Sequence, residues 1–185
     1  MKLSSHLAIV VSLASAAPLA APLVAQDAPV ARPADVTTID SIITTLYAVI
    51  SGPVGQPRQW DRMLTLFHPQ ARLMPTGCDT AGHCRVRILS PHDYRERADS
   101  LLVTTGFRER ETARRVERYG NVAHVWTTYE SFRRDEKAPF ARGINSVQLL
   151  WDGTRWWVMS VFWDSERPGN PIPAEYLRSP GRNRR

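Results

Sequence analysis

The sequence predicts an α+β domain in which a run of helices packs on one face of an antiparallel sheet. Three observations predict it. Apolar residues recur at helical spacing through the first half, four long strands follow in series from Arg108 to Asp164, and tight-turn residues separate those strands. The turns fall at Gly120-Asn121, near Asp135–Pro139 and at Asp152-Gly153. The last two strands, Gly143–Trp151 and Thr154–Trp163, read as one long hairpin around an Asp-Gly turn.

The chain opens with Lys2 and an apolar run from Leu7 to Leu23, and polarity returns at Gln26-Asp27. A basic end, a short hydrophobic stretch and small residues before a cut outline a signal peptide over 1–25. Ala25 is the preferred last residue and Ala16 the alternative. The competing reading is a permanent membrane anchor, but Pro18 and Pro22 interrupt a run barely long enough to cross a bilayer. Once the leader is removed no stretch is long enough to span. The mature chain is expected to be periplasmic or secreted, and its length suits one domain with one core.

The formal charge of +6 gives little ground for a nucleic-acid partner. Lys2 leaves with the leader, and Arg178, Arg182, Arg184 and Arg185 sit near the end, so the body is close to neutral. Cys78 and Cys84 are the only cysteines and flank Asp-Thr-Ala-Gly-His. In an exported chain this spacing reads as a disulfide closing a hairpin loop. The alternative adds His83 as a third metal ligand, without a visible fourth.

Residues 26–36 are rich in Ala and Pro and read as a flexible lead-in. The domain is expected over 37–166, followed by a Pro/Arg-rich tail over 167–185. Thr37, with Asp40 three residues on, reads as a helix start; Ile39, Ile42, Ile43, Leu46, Tyr47 and Ile50 form its apolar stripe, and Gly52-Pro53 stops it. Trp60, Met63, Leu64 and Phe67 mark a second helix closed by His68-Pro69. Residues 71–76 and 85–89 are short strands joined through the cysteine loop. Ser90-Pro91-His92-Asp93 opens a third helix, whose buried stripe is Tyr94, Ala98, Leu101 and Leu102 and whose end is Gly106.

This order, with the segments Tyr119-Gly-Asn-Val-Ala-His-Val125 and Trp151-Asp-Gly-Thr-Arg-Trp-Trp157, resembles the nuclear transport factor 2-like superfamily over residues 37–165. That group includes the SnoaL-like polyketide cyclases, ketosteroid isomerases, scytalone dehydratase and limonene epoxide hydrolase. The resemblance implies a cone-shaped curved antiparallel sheet, with three N-terminal helices on its concave face and a hydrophobic pocket between. It implies a homodimer through the outer sheet face. It implies either a small-molecule-binding protein without a cofactor, or an isomerase, lyase or hydrolase acting on a small hydrophobic substrate. A third reading is an interaction module. Fold likeness alone does not choose among them.

Strand alternation assigns the faces. A two-residue Gly120-Asn121 turn pairs Tyr119 with Val122, Val116 with Val125 and Arg114 with Thr127. The smaller, more apolar set Val116, Ala123, Val125, Thr127 and Tyr129, with Arg114 and Arg118, is expected on the concave side. His124 and Trp126 fall on the outer side. Asn145, Val147 and Leu149 should join the concave set, as should Trp157, Met159, Val161 and Trp163 if the last strand keeps register. The expected ligand-binding residues are therefore Tyr47, Trp60, Arg114, Thr127, Tyr129, Asn145 and Trp163. Arg114 on an apolar face must pair with Glu109 or Glu111, or meet an anionic ligand. The acidic position of ketosteroid isomerases falls near Val147, and the Asp/His arrangement of the cyclases has only Asp61 and His124 to offer. No acid–base pair is legible.

Overall fold

Thr38, one residue past the expected Thr37, starts the first long helix. In this computed structural model, which describes residues 30–179, the Ser41 amide donates to the Thr38 hydroxyl at 2.9 Å and the Thr38 amide donates to Ser41 Oγ at 3.1 Å. The reciprocal cap therefore uses Ser41 and not Asp40. The leader read over 1–25 lies outside the described residues. The described residues contain four α-helices, α1 Pro33–Val36, α2 Ile39–Ile50, α3 Trp60–Leu64 and α4 Pro91–Thr105. The lead-in is ordered from Pro33 onward: Asp35 is buried, accepts from Thr45 and pairs with Arg62 at 2.6 Å, tying α1 to α2 and α3.

The described residues also form six strands, β1 Phe67–Cys78, β2 Cys84–Val86, β3 Arg108–Tyr119, β4 Val122–Phe132, β5 Ala141–Trp151 and β6 Trp156–Ser165. They form one curved sheet in the order β2-β1-β6-β5-β4-β3. Neighbours run antiparallel except β1 beside β6, which is parallel. Phe67, His68 and Pro69 belong to β1 rather than to a helix. Phe67 pairs with Val158, and the register shifts before Arg72, an irregularity that accommodates the missing amide of Pro69. The third expected helix is α4, with the Ser90/Asp93 cap in place and Gly106 at φ 64 ending it.

Two single-residue irregularities decide which side chains enter the cone. The β3–β4 hairpin has the expected register near its turn, with Arg114 opposite Thr127 and Val116 opposite Val125. It then shifts between Glu111 and Ala113, so Glu111 faces Tyr129 and Glu109 faces Ser131. Thr112 is the extra residue, and an extra residue exchanges the faces of everything beyond it. A second shift between Gln148 and Leu149 leaves Met159 unpaired on β6. Val161 and Trp163 keep the expected inward face, while Trp156 and Val158, not Trp157 and Met159, supply the core below the shift. Trp157 instead meets His68 edge-on and lies under the Arg155 guanidinium.

The core fills the concave side, where Ile42, Ile43 and Val49 of α2 and Met63 of α3 meet Val125, Val147 and Val158 of the sheet, all at most 1 % exposed. The segment read as a tail packs on the outer face. Ile172 is buried, Tyr176 stacks against Trp126 at 5.7 Å, the Thr128 hydroxyl donates to the Tyr176 carbonyl, and the Arg114 amide donates to Ser179 Oγ. Trp126 therefore packs against both Tyr176 and His124. Cys78 and Cys84 are disulfide-bonded at the exposed β1–β2 loop, which leaves no thiolate for the alternative metal reading. Among the described residues no helix is long and apolar enough to cross a membrane.

Candidate functional site

Between the helices and the concave sheet face lies a cavity of about 330 Å³. Leu46, Tyr47 and Ile50 of α2, Tyr94, Ala98 and Leu102 of α4, and Met63 of α3 form one wall. Tyr129, Asn145, Val161 and Trp163 form the other, with Phe67, Leu73 and Phe107 between them. Leu101 and Phe140 also line the cavity but are 61 % and 42 % exposed, which places them at its mouth. The volume is at the small end of the range for ligand sites, and the mixture of apolar wall with a few converging polar groups is what such sites share.

Glu109 is the charged residue of that lining. The Thr112 irregularity turns it inward, where the Ser131 hydroxyl donates to its carboxylate at 2.7 Å. Its own amide donates to Ser51 Oγ at 3.0 Å, and Ser51 Oγ donates to the Tyr47 carbonyl, so the end of α2 holds the strand in place. Burial in apolar surroundings raises the Glu109 pKa to about 7, against which the Ser131 hydrogen bond works only in part. The carboxylate in turn raises the nearby phenols. Tyr129 is pushed up to about 12, by burial first and by Glu109 among the lesser causes; Tyr47 and Tyr94 are pushed higher by the same two causes.

A neutral hydrogen-bonded chain runs beside it. Asn145 Nδ2 donates to the Tyr47 hydroxyl at 3.0 Å, and Tyr47 and Thr127 share a hydrogen bond of 2.7 Å. Thr127 is fully buried behind the pocket surface and holds Tyr47 rather than facing a ligand. Tyr129 shares a 3.0 Å hydrogen bond with Ser165.

Of the expected site residues, Tyr47, Tyr129, Asn145 and Trp163 meet around one cavity. Trp60 and Arg114 do not line it. Trp60 is buried between α3 and α4, where its indole donates to Asp99 and its ring meets Tyr94 edge-on at 6.2 Å. Arg114 donates to both carboxylate oxygens of Glu111, at 2.8 and 2.6 Å, and to Asp40 at 2.6 Å, so it lies at the rim in an ion-paired cluster. The pairing expected for it is real, with Glu111 and not Glu109. Asp61 pairs with Arg95 at the surface, and His124 hydrogen-bonds Ser146 on the outer face. Glu109 is the residue that sequence reasoning missed. Its signal would have been the bulge, since strict alternation from Arg114 sends residue 109 outward.

No family model matches this chain, and no curated protein does. Solved structures do. A Mycobacterium tuberculosis protein of unknown function superposes with a TM-score of 0.55 at 15% identity, covering 75% of this chain and 80% of that one. A Nostoc punctiforme protein of unknown function with a cystatin-like fold gives a TM-score of 0.50 at 12% identity, covering 70% and 94%. A Methylobacillus flagellatus protein described as nuclear transport factor 2-like, also of unknown function, gives 0.45 at 17% identity, covering 71% and 96%. The fold is the one shared with the first two of these proteins, the second of which is described as cystatin-like. At these identities the likeness is one of fold and carries no activity.

Proposed function

We propose that this protein binds a small, largely apolar molecule in the cone. The observation that carries the reading is the cavity itself, walled by aliphatic and aromatic side chains with Glu109, Ser131, Asn145 and Tyr129 as its polar anchors. Tyr47, Asn145 and Trp163 are the expected contacts carried over from strand and helix position. The disulfide supports an oxidising compartment outside the cytoplasm. Native mass spectrometry of the freshly purified chain, followed by denaturing analysis for a released small molecule, tests this directly. A stoichiometric passenger supports the reading. An empty chain that also leaves small aromatic probes unbound would overturn it.

A second reading is favoured by one observation. A carboxylate with a pKa of about 7 set among phenols has the make-up of a general base at neutral pH, which fits an isomerase or lyase. Nitrobenzisoxazole is a suitable probe. A base removes its ring C–H proton, the electron pair forms the nitrile, and the N–O bond breaks to release a coloured phenolate. Ring opening should rise with pH through about 7 and vanish in Glu109→Gln. An equal rate in that variant excludes Glu109 as a base.

A dimer through the outer face remains part of the proposal. It is narrowed to the area around the exposed Phe162 and Val122, which sedimentation of the mature chain can test.

A further inference from the structure

The polar inventory of the cone is lopsided. Its lining includes a carboxylate and no Arg, Lys or His. Several polar groups nearby are already engaged, Asn145 Nδ2 on Tyr47, Tyr47 with Thr127, Tyr129 with Ser165 and Ser131 on Glu109 itself, and the remaining donors of the lining, the Tyr94 hydroxyl and the Trp163 indole, are neutral. A carboxylate can accept about four hydrogen bonds, and Glu109 receives that one from Ser131 among the described residues. The pocket therefore has unused charged acceptor capacity and no charged donor to set against it. An anion placed here would meet like charge in low dielectric with no cation to offset it. Arg114, the cation that might have served, is held outside by Glu111 and Asp40.

We propose that the occupant of the cone carries a protonated amine on its apolar body, with Glu109 as its counter-ion. This rests on the cone being a ligand pocket and names the chemical class of what enters it. An ammonium group supplies the donors the carboxylate lacks and neutralises a charge that is costly to bury alone. The rings of Tyr94, Trp163 and Phe107 add faces that attract a cation. The ionisable groups that face Glu109 are Tyr47 from α2, Tyr94 from α4 and Tyr129 from β4, all held neutral by raised pKa values. Glu111 and Arg114, on the same strand, are engaged with each other.

The test compares three probes of one shape: phenethylamine, phenethyl alcohol and phenylacetate, titrated calorimetrically into the mature chain at pH 5 and pH 8. Phenethyl alcohol should bind alike at both pH values. Phenethylamine should bind at least about tenfold tighter than the alcohol at pH 8, and should lose that advantage at pH 5, where Glu109 is protonated. Phenylacetate should bind worst. In Glu109→Gln the preference for the amine over the alcohol should disappear, and retained binding of the alcohol shows that the pocket is intact. If the alcohol binds and the amine binds no tighter, or if phenylacetate binds best, the amine assignment is wrong and the pocket stands. Failure of all three to bind would sink the pocket reading and the assignment with it.

Discussion

The Ser131 hydroxyl donates to the Glu109 carboxylate at 2.7 Å, across adjacent strands and inside the cone. One hydroxyl does not compensate for lost hydration, so the folded protein binds this proton more tightly than the unfolded chain does. The folded pKa of about 7 stands above the ordinary value of 4.5. The sign follows: stability from this group is fully present below about pH 4.5 and is lost as pH rises through 7. The loss should amount to about 1–3 kcal/mol. Urea midpoints should therefore fall between pH 5 and pH 8 in the wild type and stay closer to level in Glu109→Gln. A steeper fall in the variant would show that Glu109 is not the group responsible.

Tyr47 is shared by two roles, wall of the cavity and keystone of a buried polar chain. Tyr47→Phe keeps the ring but leaves Asn145 Nδ2 and the fully buried Thr127 hydroxyl each short of a partner. A loss of about 1–3 kcal/mol in denaturant stability is expected. Replacing Thr127 by Val in the same background should recover part of it, because the orphaned hydroxyl is then gone.

Much of the scaffold was legible because its determinants are local. The Gly120-Asn121 turn fixes the hairpin register by itself, and Arg114–Thr127 and Val116–Val125 pair as read. The Ser90/Asp93 cap is a short-range signal in the same way. What escaped reading depends on long-range pairing. Thr112 and Met159 are ordinary residues, and only the partner strands reveal that each is one too many. Those two insertions moved Glu109 into the site and exchanged Trp157 for Trp156. The packed end of the chain escaped for a related reason. Its Pro, Gly and Arg content reads as a solvated tail, while Ile172 and Tyr176 anchor it to a sheet face that does not exist in the sequence.

Arg114 now carries a different expectation from the one its alternation suggested. Its side chain is 14 % exposed, and its guanidinium joins Glu111 on its own strand to Asp40 on α2. Arg114→Met should leave probe binding in the cone unchanged and cost about 1 kcal/mol of stability, since the Asp40 end of the cluster is solvated and exposed pairs contribute little. The cost should shrink in high salt. A change in probe affinity with unchanged stability would return Arg114 to the site.

Gly143 sits where β5 passes closest to both Tyr129 and the end of β6. A Cβ built there would meet the Asp164 carbonyl oxygen and the Tyr129 hydroxyl and ring well inside contact distance. The position needs glycine for space, not for an unusual φ, and two of the three obstructing atoms belong to Tyr129. Gly143→Ala must therefore push the Tyr129 ring away from Ser165 or open the β5–β6 pairing at Gly143–Ser165. A destabilisation of about 1–3 kcal/mol is expected, as for other overpacked interiors. Tyr129→Phe tells the two responses apart. It removes the hydroxyl that the new methyl strikes, so if the ring is what yields, the double variant should be more stable than Gly143→Ala alone. If the strand pairing yields instead, removing that hydroxyl gives no relief, and amide exchange at Glu166, whose N–H donates to the Arg142 carbonyl across the same pair of chain segments at 2.7 Å, should quicken in both variants.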